Sequence, residues 1–330
     1  MISLYRTALG ALCLSLILPC ATSAMAQDDA AKPAEAPAPA REQLAERSVE
    51  DALALERQLP AQEQQPLQAG SDTFLALWKP ANSDEPAGAV ILIPGAGENA
   101  DWPQAVGPLR RKFPDVGWAT LSLSLPDLQG DAPQARPAET PPAPAPAPVT
   151  TDSSATPPDA GASVEKATAP DADNGTSGAD PQDPQAVDAE RIFARIEAAV
   201  AFAQQHKART IALVGHGTGA YWATRYVAER QSPHVQKLVL LATKTPGDAK
   251  QSVELLVPGL KVPTADIYYK GRQPAEAAAQ QRLQASKRQK GAPYSQVALQ
   301  VLPDKAAQEE QLFRRVRGWL SPLDARKADF

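Results

Sequence analysis

The chain has 330 residues, a formal net charge of −5 and an isoelectric point near 5.4. That balance argues against a nucleic-acid partner, which needs clustered Lys and Arg to meet phosphates. The 33 prolines and only 5% aromatics indicate a folded domain interrupted by segments that bury little.

Residues 1–26 read as a secretory signal peptide. Arg6 gives a positive start, Ala8 to Leu18 form a short apolar run, and Ala24-Met25-Ala26 is a small-x-small cleavage site before Gln27. The run is too short to span a bilayer, which takes about 20 residues, so no transmembrane span is expected after cleavage and the mature protein is expected in the periplasm. Cys20 could serve as a lipid anchor, but Pro19 directly before it fits that use poorly. Cys13 and Cys20 are the only cysteines and both fall within the signal. The mature chain therefore offers no disulfide, no thiol nucleophile and no Cys-ligated metal.

Residues 27–40 form an Ala/Pro-rich linker. Residues 41–63 carry an N-terminal helix, in which Ser48-Val49-Glu50-Asp51 has the form of a capping box ahead of Leu53, Leu55 and Leu59. Leu67 leads into a turn at Ala69-Gly70-Ser71-Asp72, and Thr73 to Trp78 follows as the second arm of a hairpin. Ala89 to Ile93 is apolar throughout, as a strand covered on both faces must be, and ends in Pro94-Gly95-Ala96-Gly97. A helix is expected from near Pro103 to Phe113, and a strand from Gly117 to Leu125.

Residues 129–185 break this rhythm. They hold twelve prolines and nine acidic against two basic residues, and no aromatic occurs between Trp118 and Phe193. Such a stretch cannot bury enough apolar surface to offset its ordering entropy, and it reads as a disordered insertion in a surface loop. Helical spacing returns over Val187 to Gln205. A strand at Thr210 to Val214, a glycine turn and a helix from Thr218 to Glu229 follow. Strands are then expected at Val235–Leu241, Ala265–Tyr269 and Val297–Leu302. Helices are expected at Asp248–Leu256, Pro274–Gln289 and Gln308–Leu320. A hairpin followed by alternating strands and helices defines an α/β fold with a mostly parallel sheet and helices on both faces. Its domain covers residues 64–128 and 186–326.

Gly215-His216-Gly217-Thr218-Gly219 lies between a buried strand and a helix, the setting of the G-x-S-x-G nucleophile elbow. In this the chain resembles the α/β-hydrolases. Pro94-Gly95-Ala96-Gly97 is similar to their oxyanion loop, Val262 to Tyr269 to the strand before the triad acid, and Arg317-Gly318-Trp319-Leu320 to their last helix. More narrowly, Gly97 to Pro103, Gly117 to Leu121 and Gly215 to Ala220 resemble an uncharacterised family of exported Gram-negative α/β-hydrolase-like proteins, a domain of unknown function.

The departures carry the functional reading. The nucleophile slot holds Gly217, which suits a positive-φ turn but has no oxygen to attack a carbonyl. None of the three histidines, His206, His216 and His234, follows the last strand, where Pro303-Asp304-Lys305 stand. Lys270-Gly271-Arg272-Gln273 occupy the place after the acid strand, and Asp266 lies within that strand. His216 reads as a packed, hydrogen-bonded imidazole, His206 and His234 as solvated, and Asp101 and Thr218 as helix caps. No metal or nucleotide motif is present, and no cofactor is expected. Glu98, Asp101 and His216 could meet at the sheet edge as an acid/base or metal site.

Two readings follow. One is a non-catalytic binding or scaffolding protein of the cell envelope that takes a small ligand or an envelope protein. Its candidate cleft is formed by Gly95, Ala96, Gly97, Asp101, Trp102, His216, Gly217 and Thr218, with Trp102 as an apolar wall. The other is an esterase-like hydrolase with a non-standard site near His216 and Thr218.

Overall fold

The computed structural model describes residues 46–128, 183–288 and 291–321. The expected signal peptide, the 27–40 linker and residues 129–182 of the expected insertion lie outside the described residues.

Eight strands form one sheet in the order β1-β2-β4-β3-β5-β6-β7-β8. They are β1 (Gln64–Ala69), β2 (Asp72–Lys79), β3 (Gly88–Ile93), β4 (Trp118–Leu123), β5 (Ile211–His216), β6 (Val235–Leu241), β7 (Thr264–Tyr269) and β8 (Tyr294–Leu299). β2 pairs antiparallel with both β1 and β4, and every other pairing is parallel. The β1–β2 turn falls at Gly70-Ser71, as its glycine and polar residues predict.

The helices are α1 (Arg47–Gln58), α2 (Val106–Lys112), α3 (Pro184–Gln205), α4 (Thr218–Arg230), α5 (Val253–Leu256), α6 (Ala275–Ser286) and α7 (Lys305–Leu320). All six residues of β3 are buried, because side chains alternate across a sheet that is covered twice. Ala89, Ile91 and Ile93 face a core with Ile192, Phe193 and Ile196 of α3 and Tyr221 and Trp222 of α4. Val90 and Leu92 face a second core with Leu109 of α2 and Leu312, Phe313 and Val316 of α7. α1 covers a smaller patch through Leu55 on Leu75 and Leu77.

Several local expectations need correction. Ser48 is the second residue of α1, not its cap. Glu46 holds the cap position without a side-chain bond, and the Ser48 amide donates instead to Asp127 Oδ2 at 3.1 Å. A donor at the helix start accepts any well-placed acceptor, and here a distant loop supplies it. The far boundary of the insertion also shifts. Asp183 caps α3 by accepting from Gln185 N, and Gln185 is buried against Asp248 O and Lys250 N. Pro184 therefore opens a helix, where its missing N–H costs nothing. The last strand starts and ends three residues earlier than expected.

Candidate functional site

β3 lies between β4, the next strand in the chain, and β5, the strand after that. The chain thus changes direction across the sheet at β3. Ligands of open α/β sheets gather at such a switch point, outside the carboxyl ends of the strands. The loops leaving β3 (Pro94 to Glu98) and β5 (Gly217) meet there.

The turn after β5 is built by close packing. Gly217 has φ +58° and ψ −123°, a conformation that side chains resist. Its amide donates to Leu241 O at 2.9 Å, and its carbonyl accepts from Lys244 N at 3.0 Å. Gly219 lets α4 approach β3: a Cβ there would lie 2.3 Å from Ile93 O and from Pro94 O. The expected positive-φ glycine elbow is therefore what the chain forms.

Above the elbow sits a carboxylate. Glu98 Oε2 accepts from the Gly95 amide at 2.7 Å and lies 2.8 Å from His216 Nδ1. Since a carboxylate only accepts, Nδ1 carries the proton of that contact. Glu98 Oε1 would be 3.9 Å from a Cβ placed on Gly217. Thr218 is the first residue of α4, with Gly217 at the cap position, so the expected cap role is corrected. Its Oγ1 accepts from the Ala96 amide at 2.6 Å. The Gly95 and Ala96 amides are thus satisfied by side chains from within the site.

The eight candidate residues divide into three groups. Gly95, Ala96 and Gly97 border a crevice of about 30 Å³ under α1, where Arg47 Nη2 donates to Gly97 O at 2.7 Å. His216 and Gly217 line a separate, larger cavity of about 570 Å³, which Glu98 also borders. Trp102 and Thr218 line neither, nor does Asp101. Its carboxylate pairs with Arg110 Nε at 3.0 Å and with Arg111 at 2.8 Å, while α2 is capped by Ala105. The expected capping by Asp101 is corrected for that reason: two guanidiniums offer a charged carboxylate more than backbone amides do. Of the triplet Glu98, Asp101 and His216, the structure brings together the first and third. Trp102 packs against the α2–α7 core instead of walling the cavity, and Pro103 and Gln104 line it in its place.

The remaining histidines sit apart from the cavity. His206 is exposed with its ring on Phe202 and Trp78, at 4.3 and 4.9 Å between centroids, and His234 is exposed. Asp266 is fully buried. Arg282 Nε and Nη2, Tyr294 Oη and Gln296 Nε2 all donate to it, at 2.8–3.1 Å. Burial together with the Asp266 charge pushes the Tyr294 hydroxyl well above its usual range.

The sequence reading missed the other wall of the cavity, formed by Thr243 and Lys244 after β6, Arg272 after β7 and Lys305 at the start of α7. A signal was available, since each follows a parallel strand at its carboxyl end.

The strand order and the glycine elbow define an α/β-hydrolase fold. A candidate dienelactone hydrolase from Klebsiella pneumoniae superposes with a TM-score of 0.50 at 14% identity, over 78% of this chain and 96% of that one. An esterase from Pyrococcus furiosus gives 0.49 at 11% identity, over 78% and 88%. An alpha-beta serine hydrolase homologue from Coxiella burnetii gives 0.46 at 12%, over 78% and 99%. At 14% identity the likeness to the Klebsiella protein speaks to fold alone. A search of curated proteins finds no match to the sequence. The chain belongs to the family described as "Protein of unknown function (DUF3530)", which matches residues 9–322.

Proposed function

We propose that this is an exported, non-catalytic binding protein of the cell envelope, and that its ligand sits in the cavity above Gly217. The observation that carries the proposal is the state of the loop after β3. An oxyanion hole needs free, preorganised amides aimed at the developing charge. Here Gly95 N is held by Glu98 and Ala96 N by Thr218. The apex between them has no side chain, and Glu98 Oε1 lies 3.9 Å from where a side chain at Gly217 would begin. The same arrangement leaves an open cavity of a size that suits a small molecule. Export rests on the leader at residues 1–26.

One observation favours a second reading, a hydrolase with a non-standard site. Glu98 and His216 form a close pair at the cavity, the geometry of an oriented general base. Thr218, the only elbow hydroxyl, would then be the nucleophile.

Purified protein should neither turn over nitrophenyl acetate nor take up a fluorophosphonate label. Turnover and stoichiometric labelling, both abolished by Thr218→Ala, would replace the binding reading with the hydrolase one.

A further inference from the structure

The cavity has a charge pattern of its own. The three loops that follow β6, β7 and β8 each bring a cation to it: Lys244, Arg272 and Lys305. Lys305 faces Glu309 at 3.7 Å, and Glu98 is tied to His216 and Gly95. Arg282 also reaches the wall, but its guanidinium is engaged by Asp266 and Glu254. Lys244 and Arg272 have no carboxylate partner among the described residues, and the Arg272 guanidinium lies over the Tyr269 ring at 5.9 Å.

Next to Lys244 in the chain, Thr243 is only 6% exposed, and its buried Oγ1 has no hydrogen-bond partner among the described residues. An unpaired buried hydroxyl is costly, and an acceptor atom arriving in the cavity removes that cost. Lys305 and Gln308 bring the first turn of α7 to the same wall, but Asp304 already caps that turn by accepting from the Ala307 amide, so an anion there is left to the side chains. The rest of the lining is largely apolar, with Pro103, Tyr268 and Leu302.

We propose that the cavity binds a small organic anion, a carboxylate or phosphate group on an apolar body. Lys244 and Arg272 neutralise the anionic oxygens, and Thr243 donates to one of them. The inference rests on the binding reading and adds the chemistry of the ligand.

The test is calorimetric titration of the full chain with phenylacetate, phenyl phosphate and the neutral phenylacetamide. Wild type should bind at least one anion about tenfold or more tightly than the amide, the scale of a charge-assisted contact. The stronger of the two anions identifies the group. The double variant Lys244→Met/Arg272→Met should erase that preference, and Thr243→Val should weaken the anion alone by about threefold to tenfold. Melting curves establish that each variant is folded. Equal binding of anion and amide, or an anion preference that survives the double variant, overturns the charge assignment while a binding cavity remains. Failure of both anions to bind folded wild type overturns it too, and the hydrolysis and labelling assays then decide the binding reading separately.

Discussion

Thr218 Oγ1 accepts a hydrogen bond from the amide of Ala96 at 2.6 Å, across 122 residues of sequence. The hydroxyl beside the elbow thereby ties the loop after β3 to the start of α4. Thr218→Val keeps the shape and removes the acceptor. Ala96 is exposed, so water can replace the lost partner. The expected loss of stability is about 0.5–1.5 kcal/mol. Amide exchange at Ala96 should quicken by the same reasoning, and NMR exchange rates measure it directly. Unchanged exchange would mean that the tie does not hold the loop.

Substitutions within the elbow should separate strain from collision. Gly217→Ser makes only ordinary contacts, its Cβ lying 3.9 Å from Glu98 Oε1 and from Gly95 Cα, so the positive φ is what opposes it. That costs about 1–2 kcal/mol. The variant should show no efficient esterase activity, because the Gly95 and Ala96 amides that an oxyanion would need are already held by Glu98 and Thr218. Gly219→Ala drives a Cβ into two carbonyl oxygens and should cost more than Gly217→Ser. Urea denaturation of the two variants orders them.

Asp266 and Arg282 form a buried ion pair beneath β7 and α6. Removing the carboxylate leaves a guanidinium 2% exposed without its main partner. Asp266→Ala should therefore destabilise by about 3–5 kcal/mol. The double variant Asp266→Leu/Arg282→Met, which leaves no orphaned charge, should recover a large part of that loss. Equal losses in the single and double variants would show that packing around Tyr294 and Gln296, not charge, sets the cost.

Glu63 gives stability a pH dependence. Burial opposes its ionisation, but hydrogen bonds from Lys79 and Arg110 more than offset this and hold its carboxyl below the usual glutamate value. A depressed folded-state value contributes stability that is complete above the unfolded value, about 4.3. That contribution disappears as pH falls through the folded value. Glu63→Gln should lower stability at neutral pH and flatten the decline below about pH 4.3. Denaturant midpoints taken across that range in both proteins test the sign.

The parts of the fold that the sequence revealed are those that depend on local pattern. Ala89 to Ile93 and Thr210 to Val214 read as buried strands because nothing polar interrupts them, and Gly217 read as a turn apex because its neighbours are a strand and a helix. Capping was misassigned three times, at Ser48, Asp101 and Thr218. Each is a short polar residue at a plausible helix start, but its amide or side chain found a partner from another element: Asp127, the Arg110–Arg111 pair and Ala96. Capping motifs weigh only neighbours in the chain. The meeting of Glu98 with His216 was among the expected contacts, whereas its hold on the Gly95 amide three residues away was not, because the turn that aims this amide at the carboxylate is set by the packing of the loop. Lys244 and Arg272 share one rim because the parallel order of β6 and β7 brings both following loops to the same side, which no local pattern records.

The elbow is held from outside its apex. Gly219 sits against Ile93 and Pro94, Leu241 receives the amide of Gly217, and Lys244 grips its carbonyl. None of these contacts uses a side chain at position 217. The bend is a fixture of the architecture, and the residue it displays takes no part in holding it. A change of residue at this one point thus leaves the sheet and its turn standing.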